Sequence, residues 1–204
     1  MPLNDDSLKL ILDFEVGGGE AFYNSNGLKH PIWPGASSGV TIGVGYDLGF
    51  NSADTIRADW ESELDEATVK RLCTVAGKTG QTAKAALASV KNVVVPWAAA
   101  FAVYQAVTIP KFEQLTRNAF PGFDNLDPHC QGALVSLVFN RGASMKGDRR
   151  IEMRAIRDLV PQKDYPGIAS QFRKMKRLWK GTDIEKGMNR RRDAEADLVL
   201  KSEP

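Results

Sequence analysis

The chain has 204 residues, 43% of them hydrophobic and 25% charged, with a formal net charge of +2. That balance excludes a disordered chain and suits one domain, or a small lobe plus a larger one. No apolar run reaches the ~20 residues that span a bilayer, so stable membrane insertion is not expected.

At the start of the chain, Asn4, Asp5, Asp6 and Ser7 supply N-caps and first-turn acids. Leu8, Ile11, Leu12 and Glu15 then recur at i, i+3, i+4 and i+7, one face of a helix. Gly17, Gly18 and Gly19 stop it. Glu15 therefore falls in the last turn, on the predicted buried face. Burial and the negative helix end both disfavour a charged carboxylate there. Both would move it toward an acid that holds a proton near neutral pH. The alternative is a helix-end carboxylate turned to solvent or paired with a later Arg.

The next segment, Ala21 to Pro34, is rich in turn residues. Asn24-Ser25-Asn26-Gly27 reads as a tight turn between Phe22-Tyr23 and Leu28, and His30 to Gly35 as a loop punctuated by prolines. Trp33 either offers a stacking face to a sugar ring or pins this loop to the core. In one straight strand, Thr41 and Asp47 would lie roughly 20 Å apart. Gly43-Val44-Gly45 instead suits a three-residue hairpin loop, which sets Ile42 opposite Tyr46 and Thr41 opposite Asp47. A hydroxyl and a carboxylate then stand side by side on a glycine-bared surface. A proton-holding acid, a second carboxylate and a water-orienting hydroxyl are the equipment of glycoside hydrolysis. The alternative is a Gly-rich hairpin with exposed Thr and Asp. Ala21–Asp47 as a whole reads as a small β lobe.

A helix closing on Glu15-Val16-Gly17, followed at a distance by Thr41-Ile42-Gly43-Val44-Gly45, resembles the phage lysozymes of the T-even type. In those enzymes an Asp lies between the Glu and the Thr. Here that interval holds Glu20 and no Asp, and it is long enough to make the intervening hairpin an insertion. The Thr41-to-Asp47 spacing is similar to pesticin-type bacteriocin muramidases of the same superfamily. The resemblance implies Glu15, Thr41 and Asp47 as the catalytic set, with Glu20 as the other candidate for the second carboxylate. It also implies an α+β, lysozyme-like fold, with a small β-hairpin lobe packed on a larger, mostly helical lobe. The expectation is a single domain over 1–204, with the catalytic helix and β lobe in 1–50 and the helical lobe in 51–204.

Beyond Phe50 the pattern is helical. Ser52 caps a segment through Trp60 and Glu61, and Asp65 to Val75 follows, ended by Gly77. Gly80 to Lys91 is built on Ala83, Ala86, Leu87 and Val90; Trp97 to Val107 is strongly apolar and reads as central; Pro110 opens the next helix. Up to Gly122 this middle matches the lysozymes only in being helical.

Asp127 caps a helix with Pro128 at its first position and a buried stripe of Ala133, Leu134, Leu137 and Val138. It closes on Phe139-Asn140-Arg141-Gly142, similar to a helix that packs behind the cleft in these lysozymes. Asn140 and Arg141 either reach the catalytic helix or simply end their own. The resemblance assigns substrate contacts to Tyr46, Gly43, Trp33, Asn140 and Arg141. Ile151 to Val160 is amphipathic and broken by Pro161, and Tyr165-Pro166-Gly167 turns into Ile168 to Trp179. The run Gly187-Met188-Asn189-Arg190-Arg191-Arg192-Asp193-Ala194-Glu195 resembles the last helix of phage endolysins.

Charge is uneven: residues 141–192 hold 16 Lys or Arg against 6 Asp or Glu, a net of +10, while the remainder holds 11 against 19, a net of −8. A basic C-terminal half suits a polyanion. With no aromatic platform or nucleic-acid motif, the anionic bacterial envelope is the expected partner and nucleic acid is not; a plain solvated helix face is the other reading. Cys73 and Cys130 match no metal spacing and read as reduced core residues, and His30 and His129 have no partner motif. No metal or cofactor is expected.

The resemblance implies a muramidase acting on peptidoglycan glycan strands, a monomer. Rival readings are a lytic transglycosylase, which needs a single acid, and a non-catalytic wall-binding module. Asp5 and Asp6 before Leu8 do not form a secretory signal. The expectation is a protein made in the cytoplasm that reaches the periplasm or cell wall by delivery. Its further partners would be an immunity protein or the delivery machinery.

Overall fold

Helices dominate the computed structural model, which describes residues 3–203. Eleven α-helices and one two-stranded antiparallel sheet occur among the described residues, an α+β composition. No helix of the described residues is long and apolar enough to cross a membrane. The chain divides into two compact units, Glu15–Pro110 and Met1–Phe14 with Lys111–Pro204. The hairpin therefore shares a unit with the helices of the middle segment.

The Glu15–Pro110 unit begins with the end of α1 (Asp5–Val16) and continues into α2 (Glu20–Ser25). The turn expected over Asn24–Gly27 is thus partly a helix. Two anchors explain it. The Tyr23 hydroxyl, buried, donates to the Val95 carbonyl at 3.0 Å, and Asn26 Nδ2 donates back to the Phe22 carbonyl at 3.0 Å. Local turn propensity gives way to these contacts.

Strands β1 (Thr41–Ile42) and β2 (Tyr46–Asp47) follow. Then come α3 (Ala53–Trp60), α4 (Glu66–Cys73), α5 (Gly80–Val90) and α6 (Trp97–Val103). Ser52 caps α3 as expected, accepting from the Thr55 amide, and Asp65, expected as the first residue of its helix, caps α4 by accepting from the Thr68 amide. Ile56, Trp60, Val69, Leu72, Ala83 and Val90 form the core of this unit with Ile42 and Val44 of the hairpin. α6 packs against α2 and α3.

Pro110 does not open a new helix. The chain runs from α6 through a π-helical stretch, Tyr104–Thr108, straight into α7 (Ile109–Ala119). Proline lacks an N–H and its ring crowds the carbonyl four residues back; a wider turn just before it relieves both.

In the other unit, α7, α8 (Pro128–Arg141), α9 (Ile151–Leu159), α10 (Tyr165–Lys174) and α11 (Glu185–Val199) pack with the first part of α1. α8 starts as expected, with Asp127 accepting from the His129 amide and Pro128 in the first turn. Its buried surface is wider than one stripe: Cys130 and every residue from Gly132 to Val138 are buried. Cys130 and the half-buried Cys73 are free thiols, and burial pushes the Cys130 thiol up to about 12. Ser7 of α1 lies against Gly132, where a Cβ would come within 1.8 Å of the Ser7 hydroxyl oxygen and 2.2 Å of its Cβ. Gly132→Ala should therefore cost about 1–3 kcal/mol by overpacking, measured by urea unfolding.

Candidate active site

Glu15 sits in the last turn of α1, and Gly17, Gly18 and Gly19, all at positive φ, end the helix. A Cβ on Gly17 would fall 2.3 Å from the Phe22 ring, so this turn accepts only glycine. Glu15 is half-buried rather than fully buried as expected; Ile11 and Val16 are the buried residues of this part of the helix. The last turn of the helix, from Glu15 on, belongs to the Glu15–Pro110 unit. Val16, not Glu15, takes the enclosed position there. Glu20 is exposed in the first turn of α2, where its charge suits the positive helix end.

The hairpin has the expected register, with Thr41 opposite Asp47 and Ile42 opposite Tyr46 across the loop Gly43-Val44-Gly45. Gly43 (φ +56°) and Gly45 (φ +74°) supply the left-handed conformations that the loop needs. Directly paired side chains of this kind stand about 5 Å apart at Cβ. Thr41 is also fixed from its other side: its amide donates to the Ile32 carbonyl at 2.8 Å, and its carbonyl accepts from the Ile32 amide at 3.0 Å. Its half-buried side chain thus projects from the middle rung of three.

Asp47 carries a role that its spacing did not announce. Its Oδ1 accepts from the Gly49 amide at 2.8 Å, and its Oδ2 from the Gly39 amide at 2.9 Å. The first contact caps the short helical turn Leu48–Phe50; the second ties the entry to the hairpin to its exit. Each carboxylate oxygen keeps a further lone pair, so the group is held in orientation while still able to accept from a water. A Cβ on Gly39 would lie 2.1 Å from Asp47 Oδ1 and 2.4 Å from the Gly49 nitrogen. Gly39→Ala should therefore cost about 2–4 kcal/mol, read as a lowered thermal midpoint.

Tyr46, one of the residues assigned to substrate, faces the core instead. Tyr46 is buried, its hydroxyl donates to Asp59 Oδ2 at 2.5 Å, and its ring meets Trp60 edge-on at 5.4 Å. Burial and the Asp59 carboxylate raise its pKa. Gly43 lies under the same tryptophan, since a Cβ there would come 3.1 Å from the Trp60 ring and 3.4 Å from the Ala100 Cβ. The Tyr46 side chain is closed to a sugar, while the Gly43 backbone is half-exposed. Trp33 is half-buried; its indole N–H donates to the Ser38 carbonyl at 3.0 Å, and Lys84 Nζ lies 5.3 Å from the ring centroid. It pins the loop leading into the hairpin.

Asn140 and Arg141 lie in the other unit and are engaged there. Asn140 Oδ1 accepts from Arg192 at 3.1 Å. Arg141 donates to the Arg149 carbonyl at 2.5 Å, and its guanidinium lies over the Trp179 ring at 5.3 Å. Among the described residues no group of three or more His, Cys, Asp or Glu is arranged to hold a metal ion.

The residues that sequence reasoning missed are Asp59, Gly39 and the buried polar group around Glu195. Ser136 donates to Glu195 Oε1 at 2.6 Å, Arg191 Nε lies 3.3 Å from Oε1, and Arg192 Nε lies 2.9 Å from Oε2. Arg191 and Arg192 precede Glu195 by four and three residues, so these pairs were readable as helix neighbours. Ser136, on another helix, gave no such signal.

Compared with known proteins, a family model described as "Domain of unknown function (DUF8812)" matches residues 11–191. No curated protein matches the chain.

Proposed function

The chain belongs to that family, whose description names no activity, and we propose from the site itself that the protein is a peptidoglycan hydrolase of the muramidase type. The observation that carries the reading is the Thr41–Asp47 pair, a hydroxyl-bearing and a carboxylate-bearing residue directly opposite each other in the register of a fixed hairpin, in the same compact unit as Glu15 at a helix end.

In this reading Glu15 protonates the oxygen leaving the β-1,4 bond between N-acetylmuramic acid and N-acetylglucosamine. Positive charge develops on the sugar ring, and a water attacks the anomeric carbon. Thr41 orients that water and Asp47 takes its proton, or stabilises the charged ring. The lysozyme-like architecture, the envelope as target, and delivery to the periplasm or wall belong to the same proposal. The net +10 of residues 141–192 supports an anionic surface as partner.

One observation favours a second reading. Both oxygens of Asp47 already accept backbone amides, which suits a structural clamp. A lytic transglycosylase needs only the acid, because the 6-hydroxyl of the muramic acid attacks its own anomeric carbon. Digestion of purified peptidoglycan separates the two. Hydrolysis yields new reducing ends; transglycosylation yields 1,6-anhydro ends; release of neither contradicts both.

A further inference from the structure

The unit containing α8 to α11 carries an open cleft of about 330 Å³. Three arginines line it, Arg141, Arg149 and Arg150, with Trp179, Ile184 and Met188 forming an apolar side. No carboxylate lines it among the described residues. Glu152 on α9, buried, is held by Arg177, whose Nη2 lies 3.1 Å from Oε2.

The arginines hold one another through backbone groups rather than through acids. Arg141 donates to the Arg149 carbonyl, and Arg150 donates to the Arg141 carbonyl. Arg141 Nη1 is sealed from solvent without a hydrogen-bond partner. The Arg149 side chain is exposed and makes no hydrogen bond or ion pair among the described residues. Burial, together with the charges of Arg150, Arg192 and Arg149, lowers the Arg141 pKa to about 10. Crowded guanidinium groups with no carboxylate lining the cleft beside them are an arrangement completed by an anion.

We propose that this cleft binds an organic phosphate monoester, its phosphoryl group on Arg141, Arg149 and Arg150 and its organic body against Ile184 and Met188. Three cations favour a dianion over a singly charged carboxylate, and guanidinium forks match phosphate oxygens in pairs. The cleft is far larger than a bare phosphate needs, which leaves room for the body. This inference stands apart from the glycosidase reading.

The test is titration of glycerol 3-phosphate into the full-length protein at constant ionic strength, followed by calorimetry and by Trp fluorescence. Saturable one-site binding is expected. Arg149→Gln, at an exposed and unpaired position, should keep its melting temperature and lose affinity about tenfold, with Arg149→Lys intermediate. Trp179→Phe should keep the calorimetric binding and lose the fluorescence response. Tighter binding of glycerol 3-phosphate than of inorganic phosphate supports the ester. Equal binding of the two overturns it in favour of free phosphate. No saturable binding, unchanged affinity in Arg149→Gln, or acetate binding as tightly as phosphate overturns the site.

Discussion

Glu15→Gln should reduce cleavage of purified peptidoglycan by about 10²–10⁴-fold, the range that a general acid contributes. The same substitution keeps the shape of this half-buried side chain, so the protein should still fold and unfold in one cooperative transition. Activity measured as turbidity loss, beside a melting curve, checks both halves. Asp47→Asn is a poorer probe. One face of an asparagine amide would turn N–H toward the N–H of Gly39 or Gly49, so lost activity there would be mixed with lost stability. Glu15→Gln, read beside its melting curve, separates chemistry from folding. Full activity in that variant would contradict Glu15 as the acid.

Glu195→Ala should destabilise the protein by about 3–5 kcal/mol, the cost of breaking a buried ion pair by removing one partner. Glu195, Arg191 and Arg192 are all buried, and one carboxylate answers two guanidinium groups and a serine hydroxyl. Burial already lowers the Arg192 pKa to about 10. Removing the acid takes away the carboxylate that both buried guanidinium groups share across α8 and α11. Urea unfolding gives the number, and Glu195→Gln, which keeps the shape, isolates the charge. A loss below about 1 kcal/mol would show that the cluster is not the tie between these helices.

The hairpin was legible because its determinants are local. Gly43 and Gly45 dictate the loop, and the loop dictates the register that brings Thr41 to Asp47. The caps Ser52 and Asp127 were legible for the same reason, since each accepts from an amide two or three residues ahead. Helix α2 was not, because Tyr23 is fixed by a carbonyl 72 residues away.

The assignment of Tyr46 to substrate went against the register itself. Tyr46 pairs with Ile42, which is buried, and adjacent residues of a strand face opposite ways, so Tyr46 turns to the core while Asp47 turns away. The double hydrogen bond to Asp47 depends on how Gly39 and Gly49 fold back around it, which no spacing reveals. Asn140 and Arg141 were read from a helix-end motif alone; their partners lie on α11 and in the turn after α8.

The most direct test of the central claim is where a sugar binds. Addition of a peptidoglycan tetrasaccharide to ¹⁵N-labelled Glu15→Gln protein should perturb the amides of Glu15→Gln itself, Thr41, Asp47 and residues 39–49. Perturbations confined to residues 111–203, or none at saturating sugar, would contradict it.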